Sequence, residues 1–323
     1  MMNWQASMSW QTAQKRAQVY SMIRTFFNDR NVVEVETPLM SQGTISDLHL
    51  DAFSTKYNFL SSGVGQTLYL QTSPEFAMKR LLASGYGDIY QLCKAFRDEP
   101  YGRFHNPEFS ILEWYRLGFS HHDLMAEVET LLISTLSCLP AEYVSYQNVF
   151  QEYTDIDPLS TTIVQLKAYL RRNEKFSDWL VDVEDIDTLL QFIFAECIEQ
   201  HIGKNSPCFV YGFPASQACL AKINREDARV ADRFECYYQG IELANGFSEL
   251  TDAETQLERF KQDNIKRVAH GKTESPIDDR FIMALAQGLP ECSGVALGID
   301  RLLMLATGET NIKKVITFGV NRA

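Results

Sequence analysis

The sequence predicts an α+β fold, in which a mainly antiparallel sheet is flanked by helices. The clearest strand signal is RFECYYQGIELANGF at 233–247, where Gln239-Gly240 can form a two-residue turn between two strands. Elsewhere apolar residues recur at helical intervals, as they do from Ala13 to Phe27. Strands and helices do not alternate regularly along the chain, so a doubly wound parallel sheet fits poorly.

The N-terminal part of the chain predicts one helix and then a group of strands. In order, we expect a helix at 12–31 capped by Thr12, a strand at 32–36, a polar loop at 41–66, a strand at 68–73, a helix at 74–84 ending before Gly85, strands at 88–97 and 109–116, and a helix beginning at Ser120. Ser120 is followed three residues later by an acid, the arrangement typical of a capping box.

The remaining part predicts an insertion and a return to strands. Residues at about 140–205 look mostly helical and are interpreted as an insertion into a single domain spanning 1–323. Beyond it we expect strands at 207–214 and 233–247, helices at 251–269 and 278–288, and a strand that runs directly into a helix at 292–308.

Composition and charge exclude several classes of protein. The chain has 323 residues and a net charge of −12, which lowers the expectation of a basic surface for nucleic acid. Its seven cysteines form no C-x-x-C pair, so neither a disulfide framework nor a zinc site is expected. The sequence has neither a long apolar run nor a secretory signal, so we expect no membrane span and a cytoplasmic location.

Charge is concentrated in the bend FRDEPYGRFHNPEF at 96–109, between two predicted strands. Arg97 is suited to a phosphate because a guanidinium binds oxygens in pairs and stays charged. Arg97 and Glu99 would share a face of the preceding strand, so the alternative is a surface ion pair between them, and a lone histidine such as His105 is usually structural. In the strand that follows, Glu113 lies among aromatic residues. It either faces solvent, pairs with a structural arginine or meets a ligand cation.

Two further clusters contain residues that could bind a metal ion or an anion. In the predicted hairpin, Glu242 lies opposite Tyr237 and diagonal to Glu235, so the two acids could hold magnesium or could simply be solvated. Asn245, Phe247 and Glu249 alternate onto one face. In GVALGIDR at 294–301, Arg301 lies in the first helical turn, where anions are stabilised, although glycines there also serve plain packing.

The order and content of these clusters resemble the motifs of the class II aminoacyl-tRNA synthetase family. The strand ending at Pro38 resembles motif 1, FRDE followed by HNPEF resembles motif 2, and GVALGIDR resembles motif 3. The segments TSPE, RFHNPEF, LEWY, RFE, ELANGFSEL and ALGIDR are similar to the catalytic domain of lysyl-tRNA synthetases. The resemblance covers most of 15–320 and implies the class II catalytic fold.

The resemblance also implies roles for matching positions. Catalysis would depend on Arg97 at the α-phosphate and Arg301 at the γ-phosphate. The other residues of the ATP site would be Asp98, Glu99, His105, Asn106, Phe109, Glu242, Leu243 and Gly298, with Glu99 on the adenine amino group and Phe109 stacked on adenine. Glu235 and Glu242 would hold Mg²⁺. The amino-acid pocket would comprise Ser73, Pro74, Glu75, Glu113, Tyr115, Asn245, Phe247, Glu249 and Ala296, and its acids would meet the positive charges of a diamine.

Two departures from the lysyl-tRNA synthetase pattern modify this interpretation. Motif 1 begins within the first forty residues, so we expect no anticodon-binding domain, and Ala296 replaces a glycine of motif 3. The shortened form resembles the family of ligases that activate (R)-β-lysine with ATP and join it to a lysine ε-amine of elongation factor P. That resemblance implies a homodimer that does not bind tRNA. The alternatives are an enzyme acting on tRNA, a non-catalytic synthetase-like regulator, and an amide synthetase acting on a free amino acid.

Overall fold

The structure is a computed structural model that describes residues 4–59 and 65–323. The described chain divides into two compact units. The first comprises the residues up to Phe119, together with Ser134–Leu136 and Glu249–Ala323, and the second comprises Ser120–Ile133 and Ser137–Ser248. Within the described ranges, no helix is long and apolar enough to cross a membrane.

Helices and strands are interspersed along the whole chain. The α-helices are α1 (Trp10–Asn28), α2 (Glu75–Ala83), α3 (His121–Leu136), α4 (Tyr146–Thr154), α5 (Ile163–Arg172), α6 (Ile186–Ile193), α7 (Ala253–Ala269), α8 (Asp279–Gly288) and α9 (Ile299–Thr307). The strands are β1 (Val33–Glu34), β2 (Met40–Ser41), β3 (Ser54–Tyr57), β4 (Gln66–Leu70), β5 (Ile89–Phe96), β6 (Glu108–Leu117), β7 (Glu142–Ser145), β8 (Cys208–Tyr211), β9 (Arg233–Tyr238), β10 (Ile241–Ser248) and β11 (Cys292–Gly298).

In the first unit, four strands are hydrogen-bonded in the order β1-β5-β6-β11. Strand β1 is parallel to β5, and the other two pairs are antiparallel. Strands β2, β4 and β3 form a separate antiparallel sheet in that order. Buried aromatic residues support the main sheet, since the Phe27 ring of α1 stacks on Tyr90 at 4.3 Å and meets the edge of Trp114.

In the second unit, four strands follow the order β10-β9-β8-β7. Gln239 and Gly240 connect β9 to β10 and have φ angles of 51° and 73°, as the predicted two-residue turn requires. Helices α4, α5 and α6 enclose an apolar core that includes Phe150, Leu166 and Leu189. The α+β prediction is therefore confirmed, and the structure contains a mainly antiparallel set of strands with helices around it.

Four local expectations were wrong or incomplete. Ser9 rather than Thr12 caps α1, because its side chain accepts a hydrogen bond from the Thr12 N–H in the first turn. Strand β1 is only two residues long, since its pairing with β5 stops there. The expected loop at 41–66 contains β3, whose residues are all exposed and so carry no alternating pattern. The expected helical insertion begins with β7, which pairs in parallel with β8.

Candidate active site

A buried carboxylate lies at the centre of the first unit's sheet. Glu113 on β6 is 2% exposed, and its two oxygens accept hydrogen bonds of 2.7 Å from Ser73 Oγ and Tyr115 Oη. Glu113 and Tyr115 can meet because residues two apart on a strand share one face. Ser73 also accepts a hydrogen bond from the Glu75 N–H at the start of α2. The alternative of a solvent-facing Glu113 is therefore wrong.

A buried lysine connects two further acids of this pocket. Lys79 Nζ on α2 lies 2.6 Å from Glu75 Oε1 and 2.5 Å from Glu249 Oε2. The Lys79 and Glu249 side chains are each 1% exposed, and that of Glu75 is 18% exposed. Glu75 and Lys79 are one turn apart on the same helix, so the helix itself aligns them. Glu249 reaches them because its N–H donates to Cys292 O at the start of β11.

Burial dominates the electrostatics of these groups. Burial, followed by the charge of Glu75, raises the pKa of Glu113 to about 7. Burial also raises the pKa of Glu249 to about 8, although Lys79 acts in the opposite direction. Burial alone would lower the pKa of Lys79, but the charges of Glu249 and Glu75 raise it above its ordinary value. The pocket therefore contains acids that are easily protonated around a permanently charged lysine.

Strand β11 provides the surface beside these acids. Gly294 pairs with Tyr115 and Ala296 pairs with Glu113 across the antiparallel strands. Directly paired residues point to the same face, so the Ala296 methyl lies beside the Glu113 side chain. A Cβ added at Gly294 would overlap both the Tyr115 ring and the Glu249 carboxylate. Strand β11 thus limits the space of the pocket at two neighbouring positions.

A cleft adjoins the carboxylates at the start of α2. It is lined by Ser73, Pro74 and Glu75, with Arg80 and Asp278 among the other polar residues. The predicted pocket residues of the first unit therefore lie together: Ser73, Pro74, Glu75, Glu113, Tyr115, Glu249 and Ala296.

The predicted phosphate-binding arginine lies just beyond the end of β5. Arg97 is outside the strand, although its N–H still donates to Pro107 O at 2.9 Å. Its guanidinium carbon lies 5.1 Å from the centre of the Phe109 ring. The expectation that Arg97 and Glu99 share a strand face was wrong, because pairing with β6 ends at Phe96. The arginine is instead held beside the aromatic residue expected to stack on adenine.

The second predicted phosphate arginine is positioned by a buried ion pair. Asp300 is 1% exposed; it accepts a 2.6 Å hydrogen bond from Arg16 and a 2.7 Å bond from the Ser110 N–H. These bonds anchor the first turn of α9, in which Arg301 follows directly. Arg301 Nη2 lies 2.9 Å from His105 Nε2. Because an arginine only donates, His105 must accept through an unprotonated nitrogen.

The loop between β5 and β6 is tied to the C-terminal segment. Asn106 Oδ1 accepts from the Val320 N–H at 3.0 Å, and Arg103 Nε donates to Thr310 O at 2.8 Å. The Asp98 N–H donates to Asp51 O at 2.8 Å. Glu99 in the same loop is half-buried. Gly298, another residue expected at the nucleotide, lies outside this loop and directly precedes α9. This loop, which carries half of the expected nucleotide-binding residues, therefore has several fixed points.

In the second unit, a bulge in β10 gathers polar residues onto one face. Glu242 pairs with Tyr237, but Ala244 already pairs with Cys236, so Leu243 is the additional residue. Beyond the bulge Asn245 pairs with Glu235. Glu242 and Asn245 therefore share a face, which simple alternation of the sequence would not allow.

Glu235 is already hydrogen-bonded within this face. It is 9% exposed and accepts from Arg233, Tyr237 and Asn245. Burial raises the pKa of Glu235, Arg233 opposes the rise, and the charge of Glu242 adds to it. Phe247 pairs with Arg233 on the same face, whereas Glu249 lies past the end of β10 and belongs to the first unit. In the described ranges, no group of three or more His, Cys, Asp or Glu could hold a metal ion.

Sequence reasoning missed two charged residues of these sites. Lys79 follows Glu75 by four residues on an expected helix, and this spacing is a recognisable signal for an ion pair. Arg233 precedes Glu235 by two residues on an expected strand, and this spacing predicts that the two side chains lie on one face. What the sequence did not indicate is that both cations are buried.

Comparison with known proteins places this architecture in a family. Residues 1–322 match the model of tRNA synthetases class II (D, K and N). A protein of Salmonella paratyphi B named elongation factor P–(R)-β-lysine ligase is 54% identical over 320 residues, which cover 99% of this chain and 98% of the relative. A protein of the same name from Salmonella heidelberg has the same identity and coverage. This chain belongs to the family of class II tRNA synthetases (D, K and N).

Proposed function

We propose that this chain is an ATP-dependent ligase that activates (R)-β-lysine and transfers it to a lysine ε-amine of elongation factor P. The observation that carries the proposal is the cluster of Glu75, Glu113 and Glu249, three acids gathered within one buried pocket. Buried carboxylates are stable only when they are paired, and a diamino acid supplies positive charges for them. The named relatives at 54% identity support the same substrate and acceptor.

The amino-acid pocket would hold the substrate's ammonium groups. Glu113 would accept from one of them, while Ser73 and Tyr115 keep the carboxylate in place. The Ala296 methyl beside Glu113 would restrict the position of the substrate's backbone, since pockets discriminate small shape differences by about 1–3 kcal/mol. We include Asn245 and Phe247 in this pocket by the family resemblance.

The nucleotide would be bound by the loop between β5 and β6 and by the start of α9. Phe109 would stack on adenine, and Arg97 beside it would contact the α-phosphate. Arg301 would bind the γ-phosphate, where the positive end of α9 also favours an anion. We assign the remaining ATP contacts to Asp98, Glu99, His105, Asn106, Glu242, Leu243 and Gly298.

In the first reaction step, an oxygen of the β-lysine carboxylate attacks the α-phosphorus of ATP. The bond from that phosphorus to the bridging oxygen breaks, and pyrophosphate leaves. Arg97 and Arg301 stabilise the negative charge that develops on the phosphates. The protein forms no covalent bond in this step, so alignment of the two substrates provides most of the acceleration.

In the second step, the acceptor's ε-amine attacks the carbonyl carbon of the adenylate. The new amide forms as the bond to AMP breaks, and the amine proton is released. In this proposal a phosphate oxygen of the departing AMP takes that proton, so the step requires no further side chain as base.

Magnesium is part of the proposal through Glu235 and Glu242. Their oxygens are the ligands that Mg²⁺ prefers, and the Glu242 charge already raises the pKa of Glu235. A divalent cation would relieve that repulsion, so the pair fits the ion chemically. Because Glu235 already accepts from Arg233 and Tyr237, the ion would compete with these two donors for the Glu235 oxygens. When bound, magnesium would neutralise charge on the phosphates.

We further propose a homodimeric, cytoplasmic enzyme built as one catalytic domain with a helical insertion at about 140–205. Several large apolar residues on α1 and the following segment are exposed, and such residues favour association: Trp10, Met22, Val33, Leu39 and Met40. The net charge of −12 makes tRNA an unfavourable partner.

Pyrophosphate exchange with purified enzyme tests the function. We expect exchange with (R)-β-lysine to exceed exchange with α-lysine, and radiolabelled β-lysine to become attached to elongation factor P. Equal exchange with both amino acids, together with charging of tRNA instead of the protein, would contradict the proposal. Absence of exchange with either amino acid would instead favour a non-catalytic protein.

A further inference from the structure

The buried Lys79 has no role in the reaction described above, although it lies inside the amino-acid pocket. Its ammonium is within 2.6 Å of Glu75 and 2.5 Å of Glu249, and its side chain is 1% exposed. It also lies 5.8 Å from the centre of the Phe281 ring of α8. Burying a charged lysine costs free energy unless acids compensate for it, so its position calls for an explanation.

The charges of the pocket form a simple pattern. Glu75, Glu113 and Glu249 provide three carboxylates, and Lys79 provides one ammonium. When all four are ionised, the pocket therefore has two net negative charges. A diamino acid with both amines protonated has two positive charges at its ammonium groups, and its carboxylate is reserved for the reaction.

We propose that Lys79 is an internal counter-ion that sets the net charge of the amino-acid pocket, so that the pocket selects substrates with two ammonium groups. This inference rests on the proposed function, because it concerns the amino acid that the enzyme activates. Lys79 is a positioning residue: it acts through Glu75 and Glu249 and need not touch the substrate. The Lys79 charge favours diamino acids over monoamino acids. It does not distinguish β-lysine from α-lysine, and that discrimination can come from Ala296.

The other titratable groups around the pocket are consistent with this role. On β6, Tyr115 donates to Glu113, and on β5, burial followed by the charge of Glu113 raises the pKa of Cys93 to about 12. Both groups are therefore neutral near pH 7. Arg80 and Asp278 lie at the cleft beside Glu75 and have opposite charges. The net charge thus depends mainly on the three acids and Lys79.

The substrate-free pocket should bind protons near neutral pH. With pKa values of about 7 for Glu113 and about 8 for Glu249, these acids are partly protonated when no cation is present. A dication stabilises their ionised forms, so its binding must release protons. Removing the Lys79 charge would raise the pKa of Glu249 by about 1–3 units, the usual effect of one neighbouring charge.

Calorimetric titration at pH 6–9, in buffers of different ionisation enthalpy, tests the inference on wild-type enzyme. The ligands are (R)-β-lysine, α-lysine and 3-aminohexanoic acid, which lacks the distal ammonium. We expect both dications to release protons and to bind more tightly as the pH rises through about 7–8. The monocation should bind about 100-fold more weakly or worse, since it leaves a buried acid unpaired.

Lys79→Met then removes the charge while it retains the length of the side chain. We expect the pH midpoint of KM and of binding to rise by about 1–3 units, with a smaller change in kcat at saturating substrate. Lys79→Arg should restore the wild-type midpoint. Leu82→Ala, a buried apolar change on the same helix, is the matched control; it should lower stability without moving the midpoint.

Each result has a distinct meaning. An unchanged midpoint in Lys79→Met, or equally tight binding of 3-aminohexanoic acid by wild-type enzyme, would overturn the counter-ion role. If Lys79→Met does not fold, two measurements on wild-type enzyme still decide whether the counter-ion role holds: proton release on binding of the dications, and the weaker binding of 3-aminohexanoic acid. Preference for α-lysine over β-lysine, with proton release intact, would contradict the proposed substrate and leave the role of Lys79 standing.

Discussion

Gly294 on β11 lies directly opposite Tyr115 on β6, and the Tyr115 ring covers the space that a side chain at Gly294 would need. The same space adjoins the Glu249 carboxylate. Because Tyr115 also donates a 2.7 Å hydrogen bond to Glu113, the missing side chain at Gly294 allows three groups of the pocket to approach one another. Glycine is needed here for close approach and not for its backbone conformation.

Gly294→Ala should therefore disturb the amino-acid pocket more than the fold. Tyr115 or Glu249 must move to admit the methyl group, and overpacking of this kind costs about 1–3 kcal/mol. We expect KM for the amino acid to rise by about 10–100-fold in pyrophosphate exchange. Gly87→Ala is the control, since an added Cβ there has no atom within 4 Å. A normal KM in Gly294→Ala would show that the ring and the carboxylate can relax freely.

Ala296→Gly should shift the preference of the enzyme toward α-lysine. The methyl of Ala296 lies beside Glu113, so its removal gives room next to the acid that would hold an ammonium group. Loss of one methyl changes the preference by about 10–200-fold. The ratio of kcat/KM for (R)-β-lysine and α-lysine measures this effect. Ala244→Gly, which removes a buried strand methyl in the second unit, should leave the ratio unchanged.

Arg97→Ala should reduce adenylate formation to a trace and leave the fold intact. Its guanidinium lies beside Phe109, just outside β5, so its loss removes no strand pairing. Loss of one charge-stabilising donor lowers kcat by about 100–1,000-fold. Arg97→Lys should recover little activity, because an ammonium cannot bind two oxygens in one plane. Arg24→Ala, which breaks an exposed ion pair with Glu34, is the control for general loss of charge. An active Arg97→Ala enzyme would refute the assigned role.

Glu113→Gln should stabilise the substrate-free protein at high pH. The pKa of Glu113 in the folded protein, about 7, exceeds its ordinary value of 4.5. The favourable contribution of Glu113 to the free energy of unfolding is therefore present below pH 4.5 and is lost as the pH rises through 7. Glutamine cannot ionise, so the free energy of unfolding of the variant should exceed that of wild type at pH 8 by about 1–3 kcal/mol.

Denaturant unfolding at pH 5 and pH 8 checks this difference. Glu34→Gln is a control that should lower the free energy of unfolding instead of raising it. The hydrogen bond from Arg24 lowers the pKa of Glu34, so the ionised form of Glu34 is favoured in the folded protein. Glu113→Gln should also weaken amino-acid binding, as it removes one of the pocket's charges. A pH-independent difference between Glu113→Gln and wild type would contradict the shifted pKa.

Local features of the fold could be predicted from the sequence. The turn at Gln239-Gly240, the capping box from Ser120 to Asp123 and the antiparallel strands around Glu113 all follow from neighbouring residues. Each depends on turn residues, caps or side-chain periods, which act over a few positions. The residue types of the candidate site could also be predicted from the sequence, since its motifs occur in a recognisable order.

The sequence by itself thus determined the α+β class and which residue types could bind a nucleotide and a diamino acid. Only the tertiary structure decided that Lys79 is buried between Glu75 and Glu249, which are 174 positions apart in the sequence. It also decided that the β10 bulge brings Glu242 and Asn245 onto one face. The physical reason is that burial and strand register depend on packing between distant segments, and no local pattern specifies them.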